Sequence, residues 1–106
     1  MTGRIFSEAG TPPDRIAILE AILKATPGNS CTAQRERLLA AMQQTGHITT
    51  FEAMRHLDVY DPRPRKLELL ADGHDILLTW RHLPTESGRP HRIGVYVLSR
   101  THEVQS

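Results

Sequence analysis

Three things are scarce in this chain of 106 residues: cysteine, long apolar runs and net charge. A single cysteine, Cys31, cannot form an intramolecular disulfide, which excludes the small domains that disulfides hold together. No apolar run approaches the roughly 18–20 residues of a membrane-spanning helix, and no basic-then-apolar signal segment is seen near the N-terminus. We therefore expect a cytoplasmic protein without a membrane partner.

The motifs of common enzyme and metal sites are also missing from the sequence. It contains six histidines, but no His-Glu-x-x-His, Cys-x-x-Cys, glycine-rich phosphate loop or nucleophile elbow. No cysteine or histidine stands near Cys31 at the spacing of metal ligands. His74 beside Asp75 is more typical of a turn than of a catalytic pair. We expect no enzymatic activity, no cofactor and no bound metal.

The net charge of +1 is not typical of a strongly basic nucleic-acid binder. The distribution of charge is more informative than its sum. Basic residues slightly outnumber acidic ones after residue 54, and most of the histidines lie there too. Any surface that binds a polyanion is therefore expected in this half of the chain.

Apolar spacing predicts a first helix at 12–25. Thr11 can cap this helix and Pro12 can occupy its first turn. Its apolar stripe consists of Ile16, Leu19, Ile22 and Leu23. Because such a stripe has to be buried, the helix either covers an open side of the core or forms a homodimer interface.

A second helix is predicted at about 33–45, with Ser30 or Thr32 as its cap and Gly46 at its end. Its apolar positions are Leu38, Leu39, Ala41 and Met42. Its predicted polar face holds Gln34, Arg35, Arg37, Gln43 and Gln44. A very short strand at 47–48 follows.

Two short helices joined by a tight connection are predicted between residues 48 and 70. Thr49 and Glu52 have the spacing of a capping box at the start of the first helix. Asp61 can cap the second helix, with Pro62 at its first position. The apolar stripe of the first is formed by Phe51, Met54 and Leu57, and that of the second by Leu67, Leu70 and Ala71.

The front of the second short helix is basic, because it carries Arg63, Arg65 and Lys66. A second helix with a basic N-terminal half is the arrangement expected of a helix-turn-helix that enters DNA.

After Gly73, which can end the preceding helix, the apolar period changes to the alternation of strands. Segments 76–82 and 93–98 are predicted to form a hairpin around a polar, basic loop at 83–92. Trp80 and Tyr96 lie on the facing strands. They form either a base-stacking pair or, as is commoner for aromatic residues on a packed hairpin, part of the core.

Residues 33–98 resemble the small winged helix-turn-helix domains of prophage and bacterial proteins. The resemblance is carried by Gln34-x-x-x-Leu38-Leu39, Ile48-Thr49-x-x-Glu52-Ala53, Arg63 or Arg65 with Leu67 and Leu70, Gly73-His74-Asp75-Ile76, and Tyr96-Val97-Leu98. Pro62 and Pro64 depart from the pattern, since such domains more often have ordinary helix formers there. The helix at 12–25 lies outside the resemblance.

This resemblance implies an α+β fold: a winged helix-turn-helix with a three-helix core, a β-hairpin wing and an additional N-terminal helix. We expect an N-terminal arm and amphipathic helix at 1–30, the winged domain at 31–100 and a tail at 101–106. A homodimer through the helix at 12–25 remains open.

The same resemblance implies that double-stranded DNA is the partner and that the protein is a small transcriptional regulator of prophage or bacterial type. Base edges in the major groove are expected to meet Arg63, Arg65 and Lys66. Phosphates near the preceding helix are expected to meet Thr49, Thr50 and Arg55, and the wing is expected to touch the DNA backbone or minor groove through Arg89, His91 and Arg92. The alternative is a protein-interaction module on the same fold, which the near-neutral charge and the additional helix favour.

Overall fold

The computed structural model describes residues 11–84 and 87–99. Its helices and strands follow one another in the order that the sequence predicts. The helices are α1 (Pro13–Ala25), α2 (Cys31–Thr45), α3 (Thr50–His56) and α4 (Pro62–Ala71). The strands are β1 (His47–Thr49), β2 (Ile76–Pro84) and β3 (Pro90–Leu98). The predicted arm at 1–10 and the predicted tail at 101–106 lie outside the described residues.

The three strands form one antiparallel sheet in the order β1-β3-β2. Tyr96 on the central strand pairs with Ile48 on one side and with Leu78 on the other. The long hairpin β2–β3 therefore stays attached to the helical part through β1. An α+β fold with a three-helix core, a hairpin and an additional N-terminal helix is confirmed.

The ends of α2 are set by the residues predicted to set them. Ser30 is the N-cap, and its Oγ accepts a hydrogen bond from the backbone N–H of Ala33 at 3.0 Å. Gly46 ends the helix with φ of +90°, a left-handed conformation that glycine adopts without steric cost. Its N–H donates to the Met42 carbonyl at 2.7 Å, which satisfies one of the last free carbonyls of the helix.

The caps of the two short helices are also as predicted. Thr49 Oγ1 accepts from the backbone N–H of Glu52 at 2.9 Å, and the Glu52 carboxylate accepts from the backbone N–H of Thr49 at 3.0 Å. Asp61 caps α4 by accepting from the N–H of Arg63. Gly73 follows the end of α4 with φ of +100°. The predicted cap at Thr11 is wrong, because Pro12 holds that position and the Thr11 hydroxyl donates to Glu52 instead.

The core lies between the helices and the sheet, and α1 is part of it. Leu19 and Ile22 of α1 are buried in the same cluster as residues from every other helix and from each strand. The rest of the cluster consists of Leu38, Ala41, Met42, Ile48, Ala53, Leu57, Val59, Leu69, Ile76 and Tyr96. The apolar stripe of α1 thus covers one side of the core within its own chain.

The predicted apolar stripes of the short helices are wrong in part. Met54, Leu67 and Leu70 are exposed, whereas Ala53 and Leu69 are buried. In α3, the capping residue Glu52 is itself buried. The buried face of the helix therefore includes the next residue, Ala53, and not Met54. In α4 the buried face is set by Pro62 and Leu69, seven positions apart and hence on one side of the helix.

The predicted loop at 83–92 is shorter than expected, because both strands continue into it. Pro84 pairs with Pro90 as the last pair of the hairpin. Proline is tolerated at strand ends and on edge strands, where no ladder hydrogen bond is lost. Gly88 has φ of +87°, which allows the chain to turn back in the short connection.

Candidate functional site

A groove of about 290 Å³ lies between the first turn of α4 and the hairpin. We call it the basic groove. Its walls and floor are formed by Thr50, Asp61, Pro62, Arg63, Lys66, Leu78, Trp80, Arg92, Gly94 and Tyr96. The fold thus brings together predicted contact residues from three elements that are distant in sequence.

The floor of the basic groove depends on Gly94. A Cβ at this position would lie 3.4 Å from Thr50 Cγ2, 3.5 Å from Leu78 Cδ1 and 3.6 Å from Trp80 Cζ3. Because glycine leaves this space empty, the three side chains approach the strand closely. Trp80 lies directly opposite Gly94 in the sheet register and keeps 50% of its surface exposed.

Two cations at the groove lie over aromatic rings. Lys66 Nζ is 5.3 Å from the centre of the Tyr96 ring, and Arg92 Cζ is 4.1 Å from the centre of the Trp80 ring. Such contacts orient the cations without neutralising their charge. Burial raises the pKa of Tyr96, so its hydroxyl is uncharged at neutral pH.

The third cation, Arg63, is held only loosely. Its Nε lies 3.9 Å from Asp61 Oδ1, and the side chains are 81% and 61% exposed. A solvated pair of this kind contributes about 0–1 kcal/mol to stability. The guanidinium therefore remains available to a ligand.

Two residues predicted to contact DNA, Thr49 and Arg65, are engaged with other groups of the protein. Thr49 is buried, and its hydroxyl is engaged in the capping box of α3. The side chain of Arg65 is 14% exposed, and both Nε and Nη2 donate to the Glu68 carboxylate at 2.9 Å. Arg65 follows Arg63 by two residues, which is roughly 200° around a helix, so it faces away from the groove.

The remaining predicted contact residues lie outside the basic groove. Arg89 and His91 are exposed near the tip of the hairpin. Arg55 is exposed on α3, where its Cζ lies 5.9 Å from the centre of the Phe51 ring. A ligand that covers the groove and extends along the hairpin would reach the tip residues.

A buried polar cluster, which we call the buried anchor, joins α1 to the start of α3. Arg15 donates to the Glu52 carboxylate from Nε at 2.7 Å and from Nη2 at 3.1 Å, and Nη2 also donates to the His47 carbonyl at 2.7 Å. Thr11 Oγ1 donates to the same carboxylate at 2.9 Å. Burial alone would raise the pKa of Glu52, but hydrogen bonds from Arg15, from the Thr49 backbone and from Thr11 hold that pKa below its ordinary value.

Arg37 is fully buried on α2, although its position in the sequence predicts a polar face. Among the residues that the structure describes, it has no carboxylate partner. Its guanidinium donates to the backbone carbonyls of Leu57 at 2.6 Å, Thr26 at 2.7 Å, Gly28 at 2.8 Å and Asp58 at 3.3 Å. It therefore joins the α1–α2 connection to the α3–α4 connection.

Sequence reasoning missed Gly94 as the floor of the groove and left the role of Trp80 open. The sequence signal for this floor is the pairing of Trp80 with Gly94, which follows once the register of the two predicted strands is fixed. A place in the core, the commoner reading of the aromatic pair, is confirmed for Tyr96 alone. Tyr96 is buried in the core, whereas Trp80 is half exposed in the groove.

Other classes of site find no support in the part of the chain that the structure describes. There, no group of histidine, cysteine, aspartate or glutamate residues is arranged to hold a metal ion. Within residues 11–84 and 87–99, no helix is both long and apolar enough to span a bilayer.

The comparisons with known proteins give one match. A family model described as a winged helix-turn-helix domain matches residues 33–101. No curated protein and no solved structure matches the chain. The matched stretch contains every residue of the basic groove, whereas α1 precedes it.

Proposed function

The chain belongs to the winged helix-turn-helix domain family, and on that premise we propose that it binds double-stranded DNA. The observation that carries the proposal is the grouping of Arg63, Lys66 and Arg92 around one groove between α4 and the hairpin. Helices at this position of helix-turn-helix proteins enter the major groove with their N-terminal residues at the base edges.

Each cation has a separate role in this proposal. Arg63, at the start of α4, is extended toward solvent and can form two hydrogen bonds to a guanine. Lys66 and Arg92, which are oriented by the aromatic rings, meet phosphates. Thr50 lies on the same groove, while Arg55 and the hairpin tip extend the contact along the DNA backbone.

We further propose that the protein is a small cytoplasmic transcriptional regulator of prophage or bacterial type. It would act by occupying DNA, without catalysis, cofactor or metal. The same groove supports this proposal, because a protein that acts by occupying DNA needs a cationic surface, and Arg63, Lys66 and Arg92 provide one.

A homodimer through α1 has limited support. Leu19 and Ile22 are buried in their own chain, which leaves Ile18 as the exposed large apolar residue of the helix. Light scattering of the full chain is the test. A dimer predicts twice the mass of 11.9 kDa and a return to the single mass in Ile18→Glu, whereas a wild-type mass of one chain would contradict it.

The second candidate function is protein interaction on the same fold. It is favoured by Leu67 and Leu70, which lie three positions apart on the outer face of α4 and are exposed. An apolar outer face suits an apolar partner better than it suits base edges, apart from a thymine methyl group.

A salt titration with mixed duplex DNA tests the proposed function. The groove variant is Arg63→Ala/Lys66→Ala/Arg92→Ala. Its control is Lys24→Ala/Arg35→Ala/Arg81→Ala, which removes the same charge outside the groove. Since two phosphate contacts are lost, the groove variant should bind more weakly, and its slope of log affinity against log salt should be shallower by roughly 2. The control should keep the wild-type slope.

Two results would contradict DNA binding through this groove. One is an equal loss in both variants. The other is no wild-type affinity even at low salt, in which case protein interaction becomes the better account and Leu67→Glu becomes the informative variant.

A further inference from the structure

The basic groove contains exposed apolar side chains as well as cations. Trp80 is 50% exposed and Leu78 is 44% exposed. Both line a groove whose rim is cationic. Exposed apolar surface that is concentrated inside a polar rim is typical of a binding site.

The ring of Trp80 is fixed in place by its neighbours. Its edge lies over the empty position at Gly94, with Cζ3 at 3.6 Å from a Cβ that would be there. The Arg92 guanidinium covers one face of the ring at 4.1 Å. A preorganised ring loses little entropy when another planar group stacks on it, so this residue is suited to be a stacking platform.

The groove is small enough to suit a small planar group. Its volume of about 290 Å³ lies just below the range of ligand pockets, which is roughly 300–1,000 Å³. Three cations and one carboxylate line the groove, and that carboxylate, Asp61, is already engaged as the cap of α4. The groove thus favours a ring with an anion attached, which is the chemistry of a nucleotide.

We propose that the basic groove binds an unpaired nucleotide of a DNA strand. The base stacks on Trp80, and the flanking phosphates meet Lys66 and Arg92. This inference rests on the proposed function, and it names the DNA substrate more closely. Bases within an intact duplex are stacked inside it and cannot reach Trp80. The preferred DNA is therefore a duplex with an unpaired nucleotide beside it, such as an overhang or a fork.

The sole tryptophan of the chain makes groove occupancy directly measurable. Its fluorescence is followed while the full chain is titrated with a blunt duplex, the same duplex with a thymidine overhang, and thymidine 5′-monophosphate. The overhang should quench Trp80 and the blunt duplex should not. Affinity for the overhang should be higher by roughly five- to 100-fold, as expected for one stacked base.

A matched pair of variants separates stacking from folding. Trp80→Leu keeps an apolar side chain but removes the aromatic face. In fluorescence anisotropy with labelled DNA, it should lose the preference for the overhang over the blunt duplex. Any change that follows from the loss of the ring beneath Arg92 should lower the affinity for both DNAs equally. Tyr60→Leu removes an aromatic residue that is 86% exposed outside the groove, and it should keep the preference.

The outcomes distinguish this inference from the proposed function. Equal affinity for blunt and overhang DNA with unchanged fluorescence overturns the inference and leaves duplex binding intact. A preference that survives in Trp80→Leu also overturns it. If the mononucleotide binds as tightly as the overhang, the ligand is a free nucleotide and the strand assignment is wrong. If the protein binds none of these DNAs at low salt, both proposals are wrong.

Discussion

The buried anchor and the basic groove each contain an arginine paired with a carboxylate, and the two pairs behave differently. In the anchor, Arg15 and Glu52 are 2.7 Å apart and 14% and 1% exposed. In the groove, Arg63 and Asp61 are 3.9 Å apart and largely solvated. In the buried pair, protein groups donate to both oxygens of the Glu52 carboxylate, whereas the exposed pair leaves the Arg63 guanidinium accessible to a ligand.

Under the proposed function, burial therefore distinguishes the cations that stabilise this chain from those that bind DNA better than residue type does. Arg65 lies two residues from Arg63, yet its pairing with Glu68 gives it a structural position. Arg37 carries the same group, and its guanidinium donates to backbone carbonyls. If the comparison is valid, removing a buried cation should change stability, and removing a groove cation should change binding.

The largest expected effect is that of Arg37→Met. The substitution leaves four backbone carbonyls without their donor, which should lower the free energy of unfolding by about 4 kcal/mol. Urea denaturation measures it. The control is Arg35→Met, which breaks a partly exposed pair with Glu68 and should cost no more than about 1 kcal/mol. Similar losses in both variants would refute the distinction.

A slightly smaller effect is expected for Glu52→Gln. The neutral side chain keeps the shape of the glutamate but weakens the bonds from Arg15 and Thr11 and the capping box of α3. Breaking one side of a buried ion pair should lower the free energy of unfolding by about 3 kcal/mol. Asp61→Asn, in the exposed pair of the groove, is the matched control and should cost less than about 1 kcal/mol.

Acid should destabilise the protein in two steps. Burial lowers the pKa values of His47 and His56 below their ordinary value. As the pH drops from about 7, these histidines therefore bind protons more readily in the unfolded chain than in the folded one, and the free energy of unfolding falls. The pKa of Glu52 is held below 4.5, so a second loss follows below about pH 5. Urea midpoints at several pH values measure both steps. Glu52→Gln should keep the first step and lose most of the second.

Replacing Arg63 is expected to change mainly the affinity for DNA, whereas replacing Arg65 is expected to change mainly stability. Arg63→Ala should lower the affinity for duplex DNA about five- to tenfold, because a contact to a base is lost, and should leave stability within about 0.5 kcal/mol. Arg65→Ala should lower stability by up to about 1 kcal/mol and change affinity less than about twofold. Anisotropy and urea denaturation of both variants test it, and equal losses of affinity would contradict the placement of Arg65.

The smallest effect is expected for Gly94→Ala. The added Cβ would lie 3.4–3.6 Å from its neighbours, which is ordinary contact, so stability should change by less than about 0.5 kcal/mol. The methyl group raises the floor of the basic groove, and quenching of Trp80 by overhang DNA should weaken about twofold. Unchanged quenching would show that the base does not reach the floor.

Local signals in the sequence predicted most of the fold. The caps at Thr49, Asp61 and Gly46 and the alternation of the hairpin were sufficient, because each depends on neighbouring residues alone. The family match then confirmed the winged helix-turn-helix reading. The boundaries of the hairpin were less accurate, since Pro84 and Pro90 at strand ends resemble loop prolines.

The candidate site was less predictable, because it depends on which way each side chain faces. Arg63 and Arg65 are equivalent as residue types, and only the packing of α4 against α2 separates them. The burial of Arg37 could not be predicted from a polar helix face, since its partners are carbonyls of two distant connections. The groove floor at Gly94 required the strand register.

The contact between α1 and the capping glutamate of α3 has a consequence for what counts as a domain here. The stretch that resembles the family begins at residue 33. Cooperative unfolding depends instead on shared burial, and Leu19, Ile22 and the Arg15–Glu52 pair extend that unit back to α1. A chain shortened to the family boundary would retain a buried carboxylate without its guanidinium. The domain defined by similarity to the family therefore differs from the unit expected to unfold cooperatively. The second includes α1 and the first does not.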